Sequence, residues 1–175
     1  MNREILFKAK PKNWRQQESE NYWVEGYYAQ LGTGDNIVHY ICQNMAICKL
    51  FEKEENNMYF TDVEIDPSTL CQFIGMTDKN GNKIWENDIA LTQEFYDKPY
   101  AKNRKSKKHI GIVKYDIYSG NFYNNETGKY DKRKEYDAKW SIKVKDYGKF
   151  IHSSWGDFFD CEVIGNVFDN PELLQ

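Results

Sequence analysis

The stretch that decides the fold is residues 77–89, with the sequence TDKNGNKIWENDI. Asn80-Gly81 lies here between two apolar segments, residues 70–76 and residues 84–85. An Asn-Gly pair in that position is a strong hairpin signal, because both residues tolerate positive φ. Asn87-Asp88 predicts a second tight bend, which leads into a further strand. The stretch therefore predicts two closely spaced turns between short antiparallel strands.

Two chemical interpretations of this polar stretch fail on spacing. An EF-hand loop needs Gly at its sixth position and Glu at its twelfth, and counted from Asp78 these are Lys83 and Ile89. A phosphate-binding loop needs several glycines and a Lys-Ser/Thr pair that opens a helix, and neither is present. We therefore interpret the stretch as structural, with the turn residues Asn80, Gly81, Asn87 and Asp88.

Composition favours a cytosolic, β-rich protein. The chain has 175 residues, enough for one domain with an elaborated lobe, and 16% of them are aromatic, which favours strands. It contains no apolar run close to the ~20 residues that span a membrane, and its first residues lack the apolar stretch of a signal peptide. The four cysteines lack the dense spacing of a secreted disulfide framework, so we expect reduced thiols.

Alternating apolar residues predict short strands along most of the chain. The predicted strands are residues 3–8, 22–29, 37–42, 57–63, 70–76, 89–92, 110–118, 140–144 and 158–168. Ser119-Gly120-Asn121 predicts the turn that ends one of them, and residues 124–139 predict a long polar loop or a ragged hairpin tip. Asp66-Pro67 and Asn170-Pro171 predict single helical turns. Short strands and little helix favour a mainly β fold, with a closed or partly closed antiparallel barrel.

The net charge of −3 hides a strong asymmetry along the chain. Residues 98–149 carry fifteen Lys and Arg against six Asp and Glu, a net charge of +9, and the remainder carries −12. An anionic partner is one explanation, because phosphates attract such charge and exposed rings can stack on bases. A solvated loop is the alternative explanation. The candidate nucleic-acid-binding residues are Lys102, Arg104, Lys105, Lys107 and Lys108 in an exposed basic loop over residues 97–109, and Lys132, Arg133 and Lys134.

Metal binding and catalysis find little support in the sequence. His39, Cys42, Cys48 and Cys71 lack the paired Cys-x-x-Cys spacing of structural zinc sites. Residues 152–157 contain Ser, His and Asp, but a catalytic triad is assembled from separate elements, and the chain has no Gly-x-Ser-x-Gly elbow. We expect no metal, no cofactor and no catalytic residues, although dispersed carboxylates leave an enzyme as a third hypothesis.

Two segments resemble the YopX-like proteins of phages and prophages. Residues 73–89, FIGMTDKNGNKIWENDI, resemble that family's TGLxDKNGxxIxEGDIV, and residues 159–174, FDCEVIGNVFDNPELL, resemble its terminal YEVIGNIYENPELL. Residues 4–9 and 23–28 are similar in the same order. The family's Gly-Asp bend is Asn87-Asp88 here, and Asn is the residue other than Gly that best tolerates the left-handed region. The bend therefore depends on backbone geometry.

The resemblance implies a mainly β protein whose C-terminal part is an SH3-like barrel, made in the cytoplasm of a bacterial host cell. It implies no catalytic residues. We expect a β-rich N-terminal lobe over residues 1–69 and a barrel over residues 70–175, with the basic loop as an insertion. The expected function is a non-enzymatic phage or prophage accessory protein, a module that binds a host or phage protein. Nucleic-acid binding is the alternative. Exposed barrel edges would favour a homo-oligomer or a strand-pairing partner, and no membrane partner is expected.

Overall fold

The structure is a computed structural model that describes residues 5–16, 22–43, 62–92, 95–96, 106–124, 129–144, 158 and 160–175. Within these ranges the protein is mainly β, with antiparallel pairing throughout and little helix, which confirms the mainly β part of the predicted fold class. The strands of the described ranges form one six-stranded, one four-stranded and one two-stranded sheet.

The six-stranded sheet combines N-terminal strands with the segment that contains the opening stretch. Its order is β4-β3-β2-β1-β5-β6. Buried apolar side chains cover one of its faces, among them Ala9, Val24, Ile41 and Ile65. Its strands are β1 (Phe7–Ala9), β2 (Val24–Leu31), β3 (Val38–Cys42), β4 (Asp62–Glu64), β5 (Cys71–Thr77) and β6 (Lys83–Trp85).

The four-stranded sheet contains most of the remaining chain. Its order is β11-β10-β7-β12, and a separate two-stranded sheet pairs β8 with β9. A second apolar core joins this sheet to β5 and β6, with Ile74, Ile84, Val113 and Ile142 among its buried members. The strands are β7 (Asp88–Leu91), β8 (Phe95–Tyr96), β9 (Ser106–Lys107), β10 (Ile110–Asn124), β11 (Lys129–Val144) and β12 (Glu162–Asn166).

Short 3₁₀ helices span Trp14–Gln16, Pro67–Thr69 and Pro171–Leu174. Asp66 caps the second of them, because its carboxylate accepts a hydrogen bond from the Ser68 backbone N–H at 3.0 Å. No helix in the described part of the chain is long and apolar enough to cross a membrane.

Several local predictions are wrong. The predicted turn at residues 119–121 lies within β10. Of the two alternatives for residues 124–139, the long loop is wrong, because most of these residues belong to the hairpin that β10 and β11 form. Residues 106–107 of the predicted basic loop form β9, and the last strand is confined to Glu162–Asn166.

The strands that the structure describes form open sheets without a closed barrel. The division at residue 70 stays a prediction, and β5, which follows that boundary, pairs with β1.

Candidate binding surface on the long hairpin

The hairpin of β10 and β11 extends well beyond the sheet that holds its base. β10 pairs with β7 only over residues 110–112, whereas it pairs with β11 as far as Asn124. Residues 113–124 therefore have β11 as their strand partner in the described chain. At roughly 3.3 Å per residue this portion is about 40 Å long. It forms a two-stranded ribbon.

One face of the ribbon is apolar and continues the core outward. Val113 and its cross-strand partner Ile142 are buried. Two and four residues further along β10, Tyr115 and Ile117 lie on the same face of the strand, but are 53% and 69% exposed. Tyr115 packs edge-on against Trp140, with ring centroids 5.2 Å apart. The apolar face, which we define as Tyr115, Ile117, Ala138 and Trp140, is therefore only partly covered.

The opposite face is polar, and its described side chains have partners within the protein. The Lys114 ammonium donates a hydrogen bond to the side-chain oxygen of Asn87. Asp116 forms an ion pair with Lys143 on the neighbouring strand. These polar groups already have partners. The exposed apolar side chains, by contrast, are in contact with water, and a partner that covered them would bind favourably. The apolar face is thus the better candidate for binding.

The second predicted basic cluster lies at a bulge in this hairpin. Gly120 pairs with Glu135, and Phe122 pairs with Asp131. One residue of β10 between these two pairs therefore opposes three residues of β11, namely Lys132, Arg133 and Lys134. A bulge bends a strand and increases its local twist. The sequence predicted a long polar loop or a ragged hairpin tip for these residues, and they belong to the outer half of the ribbon.

The first basic cluster lies elsewhere. Lys102, Arg104 and Lys105 fall outside the described residues. Lys107 ends β9, which pairs with β8, and Lys108 is exposed. The next residue, His109, is buried, and its backbone N–H donates to the Thr92 hydroxyl at 3.0 Å. Lys107 and the second basic cluster therefore belong to different strand pairs. Tyr115 and Ile117, which no prediction selected, lie on the same hairpin as the second cluster.

The opening stretch forms a turn built around the Asp78 carboxylate. Oδ1 accepts hydrogen bonds from the backbone N–H groups of Asn80 and Asn82, both at 2.9 Å. β5 ends at Thr77 and β6 begins at Lys83, so the connection has five residues and is not a two-residue hairpin loop. Gly81 has a φ of 84°, whereas Asn80 is not among the described residues with positive φ. Burial alone would raise the pKa of Asp78, but these hydrogen bonds and one from the Val163 backbone outweigh it, and the pKa is lowered.

The same turn covers the outer edge of β12. Asp78 Oδ2 accepts a hydrogen bond from the Val163 N–H at 3.0 Å, and the Lys79 N–H donates to the Cys161 carbonyl at 3.0 Å. An uncovered edge would offer these groups to another strand. The turn therefore connects the two larger sheets and occupies an edge.

The Asn87-Asp88 bend combines a backbone requirement with buried side-chain contacts. Asn87 has a φ of 65°, in the left-handed region. The Asp88 carboxylate accepts hydrogen bonds from the Trp85 backbone N–H at 2.8 Å and the Asn166 amide at 2.9 Å, and pairs with Lys8 at 2.9 Å. Burial raises the pKa of Asp88 despite the nearby Lys8 ammonium. The sequence interpretation, which credited backbone geometry alone, missed these contacts.

A second buried ion pair lies beside the first. The Lys10 ammonium is 2.6 Å from Asp169 Oδ1, and Asp169 Oδ2 accepts a hydrogen bond from the Trp23 indole at 2.6 Å. The same ammonium lies 4.6 Å from the Trp23 ring and 5.2 Å from the Trp14 ring, within cation–π range. We call Lys8, Lys10, Trp14, Trp23, Trp85, Asp88 and Asp169 the lysine–tryptophan cluster.

The candidate metal ligands that the structure describes are buried or hydrogen-bonded within the protein. His39 Nδ1 is hydrogen-bonded to the Tyr28 hydroxyl at 2.6 Å, and Cys42 and Cys71 are buried. Burial raises the pKa of Cys71 to about 11, whereas metals bind the thiolate. Cys48 and residues 152–157 lie outside the described residues. Among the residues that are described, no three His, Cys, Asp or Glu side chains form a metal-binding group.

Comparisons with known proteins give one family. The family model described as YopX protein matches residues 12–175. No curated protein matches the chain. The chain is similar to protein EF1440 from Enterococcus faecalis, whose crystal structure aligns over 99% of this chain and 100% of that chain, with 17% sequence identity and a TM-score of 0.36.

Proposed function

The chain belongs to the YopX family, and on that premise we propose that it is a non-enzymatic module that binds a host or phage protein through the apolar face of its long hairpin. One observation carries the proposal. Ile117 is 69% exposed on the face of β10 that buries Val113, four residues closer to the core. The apolar pattern of the core therefore continues onto uncovered surface.

The expected gain from covering this face is substantial. Burying an isoleucine or an aromatic side chain contributes about 1.5–3 kcal/mol. Aromatic residues at the centre of a contact commonly contribute most of its binding energy, and Tyr115 is already held against Trp140. A protein partner that packs on both exposed side chains would gain this energy without disrupting the ion pairs of the opposite face.

The finer details of the fold and setting belong to the same proposal. The C-terminal strands β5–β7 and β10–β12 would form an open SH3-like arrangement, an interpretation supported by the shared core of Ile74, Ile84, Val113 and Ile142. The chain would comprise an N-terminal lobe over residues 1–69 and this unit over residues 70–175. We place the protein in the cytoplasm of a bacterium that carries a phage or prophage, as the family resemblance implies.

Nucleic-acid binding remains the second candidate because of the bulge at Lys132, Arg133 and Lys134. A two-stranded ribbon can enter the major groove of DNA, and basic residues near its tip would contact phosphates. Such binding would weaken steeply with salt and would depend on the basic residues, whereas Ile117→Ser would leave it unchanged.

The test is affinity capture from a lysate of the host bacterium, followed by reconstitution with the purified captured protein. Wild type is compared with Ile117→Ser and with Ile37→Ser, which removes an isoleucine that is 43% exposed and lies just before β3. We expect a stoichiometric complex that Ile117→Ser weakens at least about tenfold and Ile37→Ser does not. Equal binding by all three proteins would contradict the proposed surface.

A further inference from the structure

We infer that the partner segment that covers the hairpin is acidic as well as apolar. This inference rests on the proposed function and adds the chemistry of the partner. A single ribbon carries the exposed apolar face near its base and the Lys132–Lys134 bulge nearer its tip. A partner that follows the ribbon from base to tip meets apolar surface first and basic residues next.

The charge distribution supports an acidic partner. Lys132, Arg133 and Lys134 are three consecutive basic residues, and residues 129–139 of β11 together carry five Lys and Arg against three Asp and Glu, a net charge of +2. Complementary charge speeds association and selects among partners, while apolar contacts supply affinity. Carboxylates in the partner would therefore orient it along the ribbon.

The apolar face favours a protein over a nucleic acid as the anionic partner. A phosphate backbone offers no contact that uses an exposed aliphatic side chain such as Ile117. The described polar side chains on the other face, Lys114, Asp116 and Lys143, are tied into internal contacts. An acidic segment with alternating apolar residues would use both parts of the surface, since alternate side chains of an extended chain lie on the same face.

The experiment measures fluorescence anisotropy with two labelled peptides and the full chain. The acidic probe alternates Val or Phe with Glu over about twelve residues, enough to follow a ribbon of about 40 Å. The basic probe has Lys in place of each Glu. We expect the acidic probe to bind at least about tenfold more tightly than the basic probe at about 50 mM salt, with a smaller difference at about 200 mM.

Three variants separate the two contributions. Ile117→Ser should lower the affinity for the acidic probe about ten- to a hundredfold, because it removes an aliphatic side chain that the bound probe would cover. The triple variant Lys132→Glu, Arg133→Glu, Lys134→Glu should reverse the preference between the probes. Ile37→Ser should change neither. All three proteins are checked by circular dichroism, and the side chains of Ile117 and Ile37 are exposed in the structure.

Several results would overturn the inference. The inference is wrong if the acidic probe does not bind or if both probes bind with equal affinity. It is also wrong if labelled DNA or RNA binds and this binding depends on the triplet but not on Ile117. A dimer, detected by light scattering and lost in Ile117→Ser, would identify a second copy as the occupant instead. If the captured protein needs Ile117 but neither probe preference nor the triplet matters, the proposed function stands and the acidic partner does not.

Discussion

Replacing Asp169 by alanine tests whether the lysine–tryptophan cluster holds the N-terminal strand to the C-terminal segment. The carboxylate lies 2.6 Å from the Lys10 ammonium and accepts a hydrogen bond from the Trp23 indole at 2.6 Å. The Lys10 side chain has no exposed surface, and that of Asp169 is 15% exposed. Asp169→Ala therefore removes a carboxylate from a buried ammonium.

The expected loss follows from burial. Removing one partner of a buried ion pair costs about 3–5 kcal/mol, because the remaining charge stays desolvated. A folded protein of ordinary stability has only about 5–15 kcal/mol in total. The variant should therefore lose about a fifth or more of its free energy of unfolding. Replacing both partners, as in Lys10→Met with Asp169→Leu, should restore much of the loss, since no charge is then buried.

Urea unfolding at pH 7, followed by tryptophan fluorescence and circular dichroism, measures this loss. With an m-value of about 2 kcal/mol/M, the unfolding midpoint should fall by about 1.5–2.5 M. Glu64→Ala is the matched control, because it removes the carboxylate of the Lys12–Glu64 pair, whose side chains are 61% and 36% exposed. Exposed pairs contribute little. A midpoint shift for Asp169→Ala no larger than that of Glu64→Ala would refute the argument.

Three further predictions concern the turns and the buried thiols. The pKa of Asp78 is lowered from 3.8 in the folded protein, so its contribution to the free energy of unfolding is present above about pH 4 and is lost as the pH falls through the folded pKa. Urea midpoints of wild type and Asp78→Asn should therefore differ at pH 7 and converge as the pH falls below the folded pKa, and a constant difference would contradict this. Asn87→Ala should be about 1–2 kcal/mol less stable than Asn87→Gly in urea unfolding, because both lose the amide and only alanine has a Cβ at a φ of 65°; equal stabilities would remove the backbone explanation. Burial raises the pKa of Cys161 to about 12, so iodoacetamide at pH 8 should label it far more slowly in the native protein than in urea, as peptide mass spectrometry would detect; rapid native labelling would contradict its burial.

Local pattern was sufficient to predict the strand content, but not the extent of the hairpin. The alternation of Val113, Tyr115 and Ile117 indicated a strand, while Ser119-Gly120-Asn121 indicated that it ended. In the structure β10 continues to Asn124. Two long strands that pair with each other can include turn-forming residues, and the bulge opposite residue 121 takes up the change of register. Cross-strand register is non-local, so the sequence pattern could not provide it.

The sequence was sufficient to predict which residues share the candidate surface, but not that this surface is exposed. The alternation that predicted the strand also places Tyr115 and Ile117 on one face. An alternating apolar face is expected to be buried, as Val113 is. Only the length of β7, which pairs with β10 no further than residue 112, shows where the covered part ends. The informative feature is a core pattern that is longer than the sheet available to cover it.

The lysine–tryptophan cluster had no local signal at all. Lys8 and Lys10 alternate with the apolar residues Phe7 and Ala9, the pattern of a strand with one solvated face. Ala9 does face a core, but the lysine face is covered as well, by tryptophan rings and by the carboxylates of Asp88 and Asp169. The Asp88 carboxylate lies 80 positions from Lys8 in the chain, and Asp169 lies still further from Lys10. The free energy of a lysine ammonium is lower in water than in an apolar interior, so a lysine on a strand is expected to be exposed. Its burial here requires a paired carboxylate, which only the folded chain brings close to it.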